Sequence, residues 1–232
     1  MTKLEKLLFG KATNEITQEE AEKIFYKAAL ELMLKYVLII GKAKYYFAEI
    51  EFYLFSDLHP DSSTHCHPFQ KNTSHWYFHR HGETENLRTH KRKGVDIVIG
   101  NGKCCGGILI RAIQNVASES GYIYGPSEIV DEISKLSEND FSSIAKGIED
   151  EEISINQLLS IEKYDQSKQE VLACPRHGLG KTPSDFIDKP YRFITFPYKE
   201  HRGKEKIIIP YLKKNYSDEK LLELFKRKTL PK

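Results

Sequence analysis

The chain has 232 residues, of which 40% are hydrophobic and 29% are charged, and its formal net charge is +2 at pH 7. This composition is typical of a globular protein with a buried hydrophobic core. We expect no membrane span, because no stretch approaches the roughly 18 apolar residues that a transmembrane helix needs. The segment after Met1 is charged and amphipathic, unlike a signal peptide, so we expect a cytoplasmic protein, or a nuclear one in a eukaryote.

The four cysteines are Cys66, Cys104, Cys105 and Cys174, and no two of them form a C-x-x-C pair. This spacing does not indicate a disulfide framework. We therefore expect reduced thiols, as is usual in the cytosol.

The charge is unevenly distributed along the chain. Residues 75–111 contain seven Lys or Arg, three Asp or Glu and four His, whereas residues 128–170 contain twelve acidic residues and four Lys. The basic region is suited to face a polyanion while the acidic region faces away from it. Two ordinary solvated surfaces would give the same counts.

The first third of the chain predicts a helix and a long strand. Residues 17–20, T-Q-E-E, have the form of a capping box before a helix over 21–35. Residues 37–40 either extend this helix or begin a strand, and Gly41 breaks whichever forms. A strand is predicted over 45–55.

A loop and a hairpin follow. Residues 58–75 are polar, and a loop of this length in a compact domain is usually functional or disordered. Residues 94–99 and 104–113 predict two strands joined by a turn with Gly100 and Gly102.

No linker or internal repeat divides the chain, which predicts one mixed α/β domain over residues 1–232. It has a helical segment over 1–44 and a C-terminal helix and tail over 217–232. The remaining predicted elements are a helix over 128–135 after Gly125-Pro126, a mostly helical segment over 139–165, strands over 191–196 and 206–209, and a helix over 219–228 capped by Ser217.

The strand over 45–55 carries an acidic residue where a core strand would not. Ile50, Phe52 and Leu54 share one face, and Glu51 and Tyr53 share the other. If the first face is core, Glu51 and Tyr53 face a site together. A surface strand would give the same alternation.

Histidines and an arginine strengthen the prediction of a site. His59, His65 and His67 follow the strand closely, and an imidazole beside a carboxylate and a phenol can activate water and hold an aromatic ligand. Arg111 ends the strand "GGILIR" and is placed to pair with Glu51, although it could equally be a surface residue.

The histidines also raise the question of a metal. His65, His67, His75, His79 and His81 are close in sequence, but H-x-H without a second ligand pair is a weak zinc signal. The run "HWYFHRH" alternates aromatic and basic residues, which fits stacking on bases and contact with phosphates at least as well. We expect no metal.

Four motifs stand in an order that resembles the alkyladenine (3-methyladenine) DNA glycosylases, over roughly residues 48–196. "AEIEFYL" resembles that family's E-T-E-A-Y-L, "GGILIRAI" its V-L-L-R-A-L, "GPSEIV" its G-P-[GS]-K-L, and "PRHGLGKTPSDFIDKPYRFI" its R-V-G-[VI]-G followed by K-P-L-R-F-Y. The resemblance implies an α+β fold, a single domain with a curved mixed or antiparallel sheet flanked by helices. It also implies a monomer without an obligatory cofactor.

The resemblance assigns three residues to catalysis. Glu51 matches the acid that activates water, and Arg111 matches the arginine beside that water. His177 falls where a backbone carbonyl helps to hold it.

The base-binding part is only partly matched. Tyr53 corresponds to the aromatic residue that stacks on the extruded base, and His65, or alternatively His67, corresponds to the family's pocket histidine. The family's hairpin carries a tyrosine that fills the gap left by the base, whereas "GVDIVIGNGKCCGG" has Asn101 or Lys103 there. We therefore expect a modified base other than methyladenine, or lost chemistry.

Taken together, these patterns predict a monofunctional DNA glycosylase that acts on double- or single-stranded DNA. The alternatives are a non-catalytic nucleic-acid binder on the same fold and a metal-dependent hydrolase or nuclease that uses the histidines. The residues predicted to contact nucleic acid are Arg80, Lys91, Arg92, Lys93, Asn101, Lys103 and Arg202.

Overall fold

The computed structural model describes residues 13–80, 93–135, 141–166, 169–179 and 185–231. Its helices are α1 Gln18–Lys35, α2 Pro126–Ser134, α3 Phe141–Glu149, α4 Ile209–Leu212 and α5 Asp218–Phe225. Its strands are β1 Tyr36–Ile40, β2 Ala43–Ser56, β3 His59–Pro60, β4 Trp76–Phe78, β5 Val95–Val98, β6 Cys105–Asn115, β7 Tyr122–Tyr124, β8 Leu159–Lys163, β9 Leu172–Cys174 and β10 Arg192–Ile194.

One curved antiparallel sheet organises a single mixed α+β domain. Its main path runs β4-β5-β6-β2-β1-β8, while β10 pairs with both β2 and β9, and β7 pairs with β6. The 14-residue strand β2 is the centre of the sheet, because β6 follows one edge of it while β1 and then β10 share the other edge. Side chains in the middle of β2 therefore have strands on both sides.

Helix α1 covers the core face of the sheet. It begins at Thr17 in the predicted capping box with Glu20, which satisfies backbone N–H groups of the first turn. Its buried residues lie at helical spacing, and Phe25 stacks on Phe52 of β2 with ring centroids 4.7 Å apart. Because Ile50 belongs to the same core cluster, the predicted core face of β2 is confirmed.

A bulge between β2 and β6 reverses the alternation of both strands. The pairing passes from Phe47 opposite Ile113 to Glu49 opposite Ala112 and then to Ile50 opposite Ile110, so Ala48 and Arg111 have no cross-strand partner in this ladder. Two successive residues on each strand thus face away from the core.

The bulge also frees backbone groups for other elements. The carbonyl of Ala48 accepts from the N–H of Thr195 at 2.9 Å, and the carbonyl of Arg111 accepts from Gly125, just before α2, at 2.8 Å. The bulge is therefore tied to both β10 and the start of α2.

Two predicted segments are wrong. Residues 139–165 are not mostly helical, because only α3 is a helix there and β8 pairs with β1. Residues 206–209 form no strand but a π-helical turn, Lys204–Ile208, that continues into α4. Ile208, Ile209 and residues of α4 and α5 form a small second core at helical spacing, and a short apolar run alone does not distinguish that arrangement from a strand.

The open question over residues 37–40 is settled as a strand, and Gly41 ends it with a positive φ of 59°. Among the helices of the described residues, none combines the length and apolarity needed to cross a bilayer.

The expectation of four reduced thiols is also wrong. Cys66 and Cys105 are bonded to each other, with Cα atoms 5.0 Å apart and a sequence separation of 39 residues. Cys104 and Cys174 are free and buried. The bond ties the loop after β3 to the start of β6, where the sequence spacing gave no sign of it.

We predict that breaking this bond destabilises the protein. Cys66→Ser with Cys105→Ser should lower the free energy of unfolding by about 2–4 kcal/mol, because the unfolded chain regains the entropy of an open loop. Urea denaturation with and without reductant measures this. Reductant should destabilise the wild type and leave the double variant unchanged, and four titratable thiols in the denatured, unreduced wild type would contradict the pairing.

Candidate active site

Glu51 lies at the middle of the sheet, on the face opposite to the core, and its side chain is 5% exposed. Arg111 of β6 donates from Nη1 to Glu51 Oε2 at 3.0 Å. Arg192 of β10 lies directly across from Glu51, with Nε 3.8 Å from Oε1. The predicted pairing of Glu51 with Arg111 is therefore present, and a second guanidinium that the sequence did not reveal lies on the other side.

Glu49 is the fully buried centre of the charge network. Its Oε1 accepts from Arg111 Nε at 2.7 Å and lies 2.9 Å from Arg192 Nη2, while its Oε2 lies 2.7 Å from His201 Nδ1. Burial alone would raise the pKa of Glu49, but the His201 hydrogen bond and the guanidiniums of Arg192 and Arg111 hold it well below its usual value. Glu49 is therefore a permanent anion that orients Arg111.

The carboxylates of Glu49 and Glu51 differ in how completely their oxygens are hydrogen-bonded. Both oxygens of Glu49 are bonded within the network. Glu51 Oε1 is buried and has no hydrogen-bond partner among the described residues. A buried carboxylate oxygen of this kind has a large desolvation cost unless water or a ligand completes it.

Glu51 opens onto a cavity of about 170 Å³. This is smaller than the roughly 300–1,000 Å³ of sites for drug-sized ligands, so the cavity suits one ring system. The residues that line it are Glu51, Tyr53, Ser63, Thr64, His65, Gln70, His79, Leu109, Arg176 and Leu179. Tyr53 and His65 thus lie where the sequence placed them, beside Glu51.

His67 is not in the cavity wall. It is 5% exposed, precedes the 3-10 helix Pro68–Lys71 as its N-cap, and stacks on Tyr77 with centroids 5.4 Å apart. Of the two candidate histidines, His65 is the one that reaches the cavity.

Tyr53 is fixed by a polar chain that the sequence analysis missed. Its hydroxyl bonds to Asp96 and accepts from Gln70 Nε2 at 2.7 Å, and His79 Nε2 lies 3.0 Å from the other Asp96 oxygen. Burial and the Asp96 charge raise the pKa of Tyr53 well above its usual value. The phenol therefore stays protonated and donates a hydrogen bond to Asp96.

The ring of Tyr53 lies against Gly107, its cross-strand neighbour. A Cβ at Gly107 would lie 2.6 Å from the Tyr53 Cζ and closer still to the hydroxyl. The close approach requires glycine at this position.

A second cavity, of about 660 Å³, lies beside the first and shares His79 and Leu109 with it. Arg111, His177 and Arg202 are among its walls. Burial and the positive charges of Arg202, Arg192 and Arg111 lower the pKa of His177, so its imidazole is neutral at pH 7.

The residues predicted to contact nucleic acid are dispersed. Arg80 is 5% exposed and forms a bidentate ion pair with Glu149 at 2.5–2.6 Å. Its guanidinium is therefore not available to contact a phosphate. Lys93 is buried against Asp131 but reaches the second cavity. Asn101 bonds to Asn14 at the β5–β6 turn.

Of the remaining residues in that prediction, Lys103 is exposed at the turn, and Arg202 is exposed at the second cavity. Lys91 and Arg92 lie outside the described residues.

The histidines do not form a metal centre in the described part of the chain. No group of three or more His, Cys, Asp or Glu lies close enough there to hold an ion. His79 instead bonds to Asp96, and His75 to the carbonyl of Thr73. His81 lies outside the described residues.

No protein-family model matches the chain. Among curated proteins, it is similar to "Uncharacterized protein L759" of Acanthamoeba polyphaga mimivirus, with 30% identity over 207 residues. The match covers 79% of this chain and 91% of the viral protein. The name of that relative states no activity, so the chemistry has to be inferred from the site.

We predict that Glu49→Gln destabilises the protein by about 3–5 kcal/mol, because it leaves two buried guanidiniums undercompensated. Glu162→Gln is the matched control. Glu162 is half-exposed and pairs with Lys44 on the surface, so its loss should cost about 1 kcal/mol or less. Urea denaturation at pH 7 measures both.

The stability difference between the wild type and Glu49→Gln should also depend on pH. Because the pKa of Glu49 is depressed in the folded state, its contribution is present above its unfolded value of about 4.3 and is lost as the pH falls further. The stability difference between wild type and Glu49→Gln should therefore shrink below about pH 4. A difference that is constant between pH 7 and pH 3 would contradict this account.

We also predict that Gly107→Ala displaces Tyr53 and costs about 1–3 kcal/mol, because an added methyl group overpacks the site. Gly102→Ala is the control, since nothing lies within 4 Å of the Cβ it would add. Thermal unfolding compares the two variants. Equal melting temperatures would show that the Tyr53 ring does not lie against Gly107.

Proposed function

The chain belongs to the same family as protein L759 of Acanthamoeba polyphaga mimivirus, and from the site described above we propose that it is a monofunctional DNA glycosylase. In this proposal the protein acts as a monomer and cleaves the N-glycosidic bond of an extruded, modified base. The curved antiparallel sheet flanked by helices is compatible with the glycosylase-like fold that the motif resemblance implies.

The observation that carries the proposal is Oε1 of Glu51, a residue of the cavity wall. Among the described residues this oxygen has no hydrogen-bond partner, and its nearest charged neighbour, Arg192 Nε, lies 3.8 Å away. Arg111 holds the other oxygen, so the carboxylate is fixed in orientation while one acceptor remains for a water molecule. A general base must lie within hydrogen-bond reach of the proton it removes, so the proposal requires a water molecule that enters from the cavity and bonds to this oxygen.

The reaction that we propose is a hydrolysis at the sugar. The target nucleotide first leaves the base stack, at a cost of a few kcal/mol. The C1′–N bond then loosens, and its electron pair departs with the base. A water oxygen bonds to C1′ as Glu51 accepts its proton, and the carboxylate also favours the positive charge that develops on the sugar.

The lining of the small cavity supports hydrolysis rather than amine chemistry. It includes no lysine among the described residues, so no group is placed to form a Schiff base with the sugar. The product would be an abasic site.

The cavity also carries groups that suit a planar base. Tyr53 and His65 supply aromatic surfaces, and base–aromatic stacking contributes about 1–3 kcal/mol per base. Thr64 Oγ1 is buried, has no hydrogen-bond partner among the described residues and can bond to a polar edge of the ligand.

We predict that Glu51→Gln reduces base release by roughly 10²–10⁴-fold, the usual contribution of a general base. Oligonucleotides with alkylated, deaminated or bulky modified bases are incubated with the protein, and abasic sites are read by alkaline cleavage. Glu162→Gln, an exposed glutamate of β8, should cleave like the wild type.

Equal cleavage by the Gln variant and the wild type would refute the role of Glu51. Binding without release of any base by the wild type would favour a non-catalytic nucleic-acid binder on this fold. Phosphodiester cleavage that is abolished by a chelator, without an abasic intermediate, would favour a metal-dependent nuclease.

A further inference from the structure

The small cavity is the end of a longer groove. The second cavity shares Tyr124 and Arg202 with a third one of about 880 Å³, which is formed mainly by residues 198–206. We call the second and third cavities together the basic groove. Because the small cavity adjoins it through His79 and Leu109, a polymer that places one unit at Glu51 can continue along the groove.

The lining of the groove is mainly positive. Its basic residues are Lys93, Arg111, Lys199, Arg202, Lys204, Lys206 and Arg227, and its acidic residues are Glu128, Glu200 and Glu205. Carboxylates compensate some of these cations, since Arg111 pairs with Glu51 and Arg227 pairs with Glu205.

Other cations of the groove form no salt bridge within the described part of the chain. Lys199 and Lys204 donate to the backbone carbonyls of Glu119 and Lys199, which are neutral acceptors. Lys206 is exposed, and so is Arg202. The uncompensated charge fits a ligand with repeated negative charges.

Tyrosines lie among these cations. Tyr124 and Tyr198 line the third cavity, and 37% of Tyr198 is exposed. The ammonium groups of Lys226 and Lys199 lie 3.6 Å and 5.9 Å from the Tyr198 ring centroid, and the rings of Tyr122 and Tyr124 are nearly parallel, at 4°. Aromatic rings interleaved with cations are typical of surfaces that bind single strands, where bases stack and phosphates pair with cations.

A duplex makes poor use of these rings, because its bases are paired and stacked inside. The turn at residues 101–103 also carries no apolar side chain that could replace an extruded base in a duplex stack. A base that is already unpaired avoids most of the cost of extrusion.

We propose that the protein takes its target base from a single nucleic-acid strand. The phosphates lie along the basic groove, and unpaired bases stack on Tyr198 and Tyr124. This inference rests on the proposed function for the meaning of the small cavity, but the binding it describes is measurable without any base release.

The test measures the binding of unmodified, fluorescently labelled oligonucleotides by anisotropy. Single-stranded DNA, single-stranded RNA and duplex DNA of one length are compared at the same salt concentration, with heparin as a polyanion without bases. The wild type should bind single-stranded DNA, single-stranded RNA or both at least about tenfold more tightly than duplex. Comparison of the affinities for single-stranded DNA and single-stranded RNA shows which sugar the groove accepts.

Tyr198→Ala should weaken single-strand binding roughly 5- to 150-fold, the effect of one lost base stack, and leave heparin binding unchanged. The control is Tyr26→Ala, which removes an exposed tyrosine of α1 outside the groove. Lys199→Gln with Lys206→Gln should reduce the salt dependence of binding by about 0.7 per lost phosphate contact. Thermal unfolding of each variant checks its folding.

Binding of duplex as tight as that of single strands would overturn the inference, and so would equal effects of Tyr198→Ala and Tyr26→Ala. Single-strand binding as expected, without release of any tested base, would leave the inference standing and count against the glycosylase. Base release that depends on Glu51 but is equally fast on duplex, with normal binding by Tyr198→Ala, would support the glycosylase and overturn the inference of a single-stranded substrate.

Discussion

The hydrogen bonds from Arg111 to two carboxylates depend on the bulge between β2 and β6. Phe47 and Glu49 are two residues apart, so a regular strand would place both on one face. The bulge sends Phe47 into the core and Glu49 to the opposite face, where it joins Glu51. On β6, Arg111 reaches the same face by regular alternation with the core residues Ile108 and Ile110, and the bulge that follows turns Ile113 back into the core.

The resulting network is a buried array of charges, and removal of any one of them would destabilise the fold because its buried partners would lose their compensation. Two carboxylates and two guanidiniums balance one another, and His201 completes Glu49. Such arrays are weak evidence for stability, since well-packed apolar groups often serve as well. Their presence at the wall of a cavity favours a functional reason. Glu49 anchors Arg111, and Arg111 fixes Glu51 with one oxygen left open.

The sequence predicted those parts of the site that follow a regular period. Glu51, Tyr53 and Arg111 were recognisable because each lies on a strand whose alternation is local. Glu49 was missed although it has the parity of Glu51, because the core residue Phe47 has that parity as well and only the bulge separates the two. Arg192 was missed because it joins the site through the pairing of β10 with β2, about 140 residues away in sequence.

The elements of the fold that could be predicted are likewise those that depend on local sequence. The capping box of α1 and the long strand β2 are local and were predicted, whereas the edge strand β8 exists because β1 offers it a partner. The helical turn before α4 forms because Ile208 and Ile209 pack with α5, which periodicity over four residues cannot reveal. Likewise, Cys66 meets Cys105 only because the loop after β3 folds back on β6.

One face of the sheet thus changes character along its length. It is polar at Tyr53, where Asp96 and Gln70 satisfy the hydroxyl. It is charged and buried at Glu51, and it becomes aromatic and open at Tyr124. The ligand that we propose for this face has a small planar part at one end and repeated negative charge along the rest. A polynucleotide has both, whereas a free base or a simple polyanion has only one. Our proposal of a nucleic-acid strand therefore rests on the whole face rather than on any single residue of it.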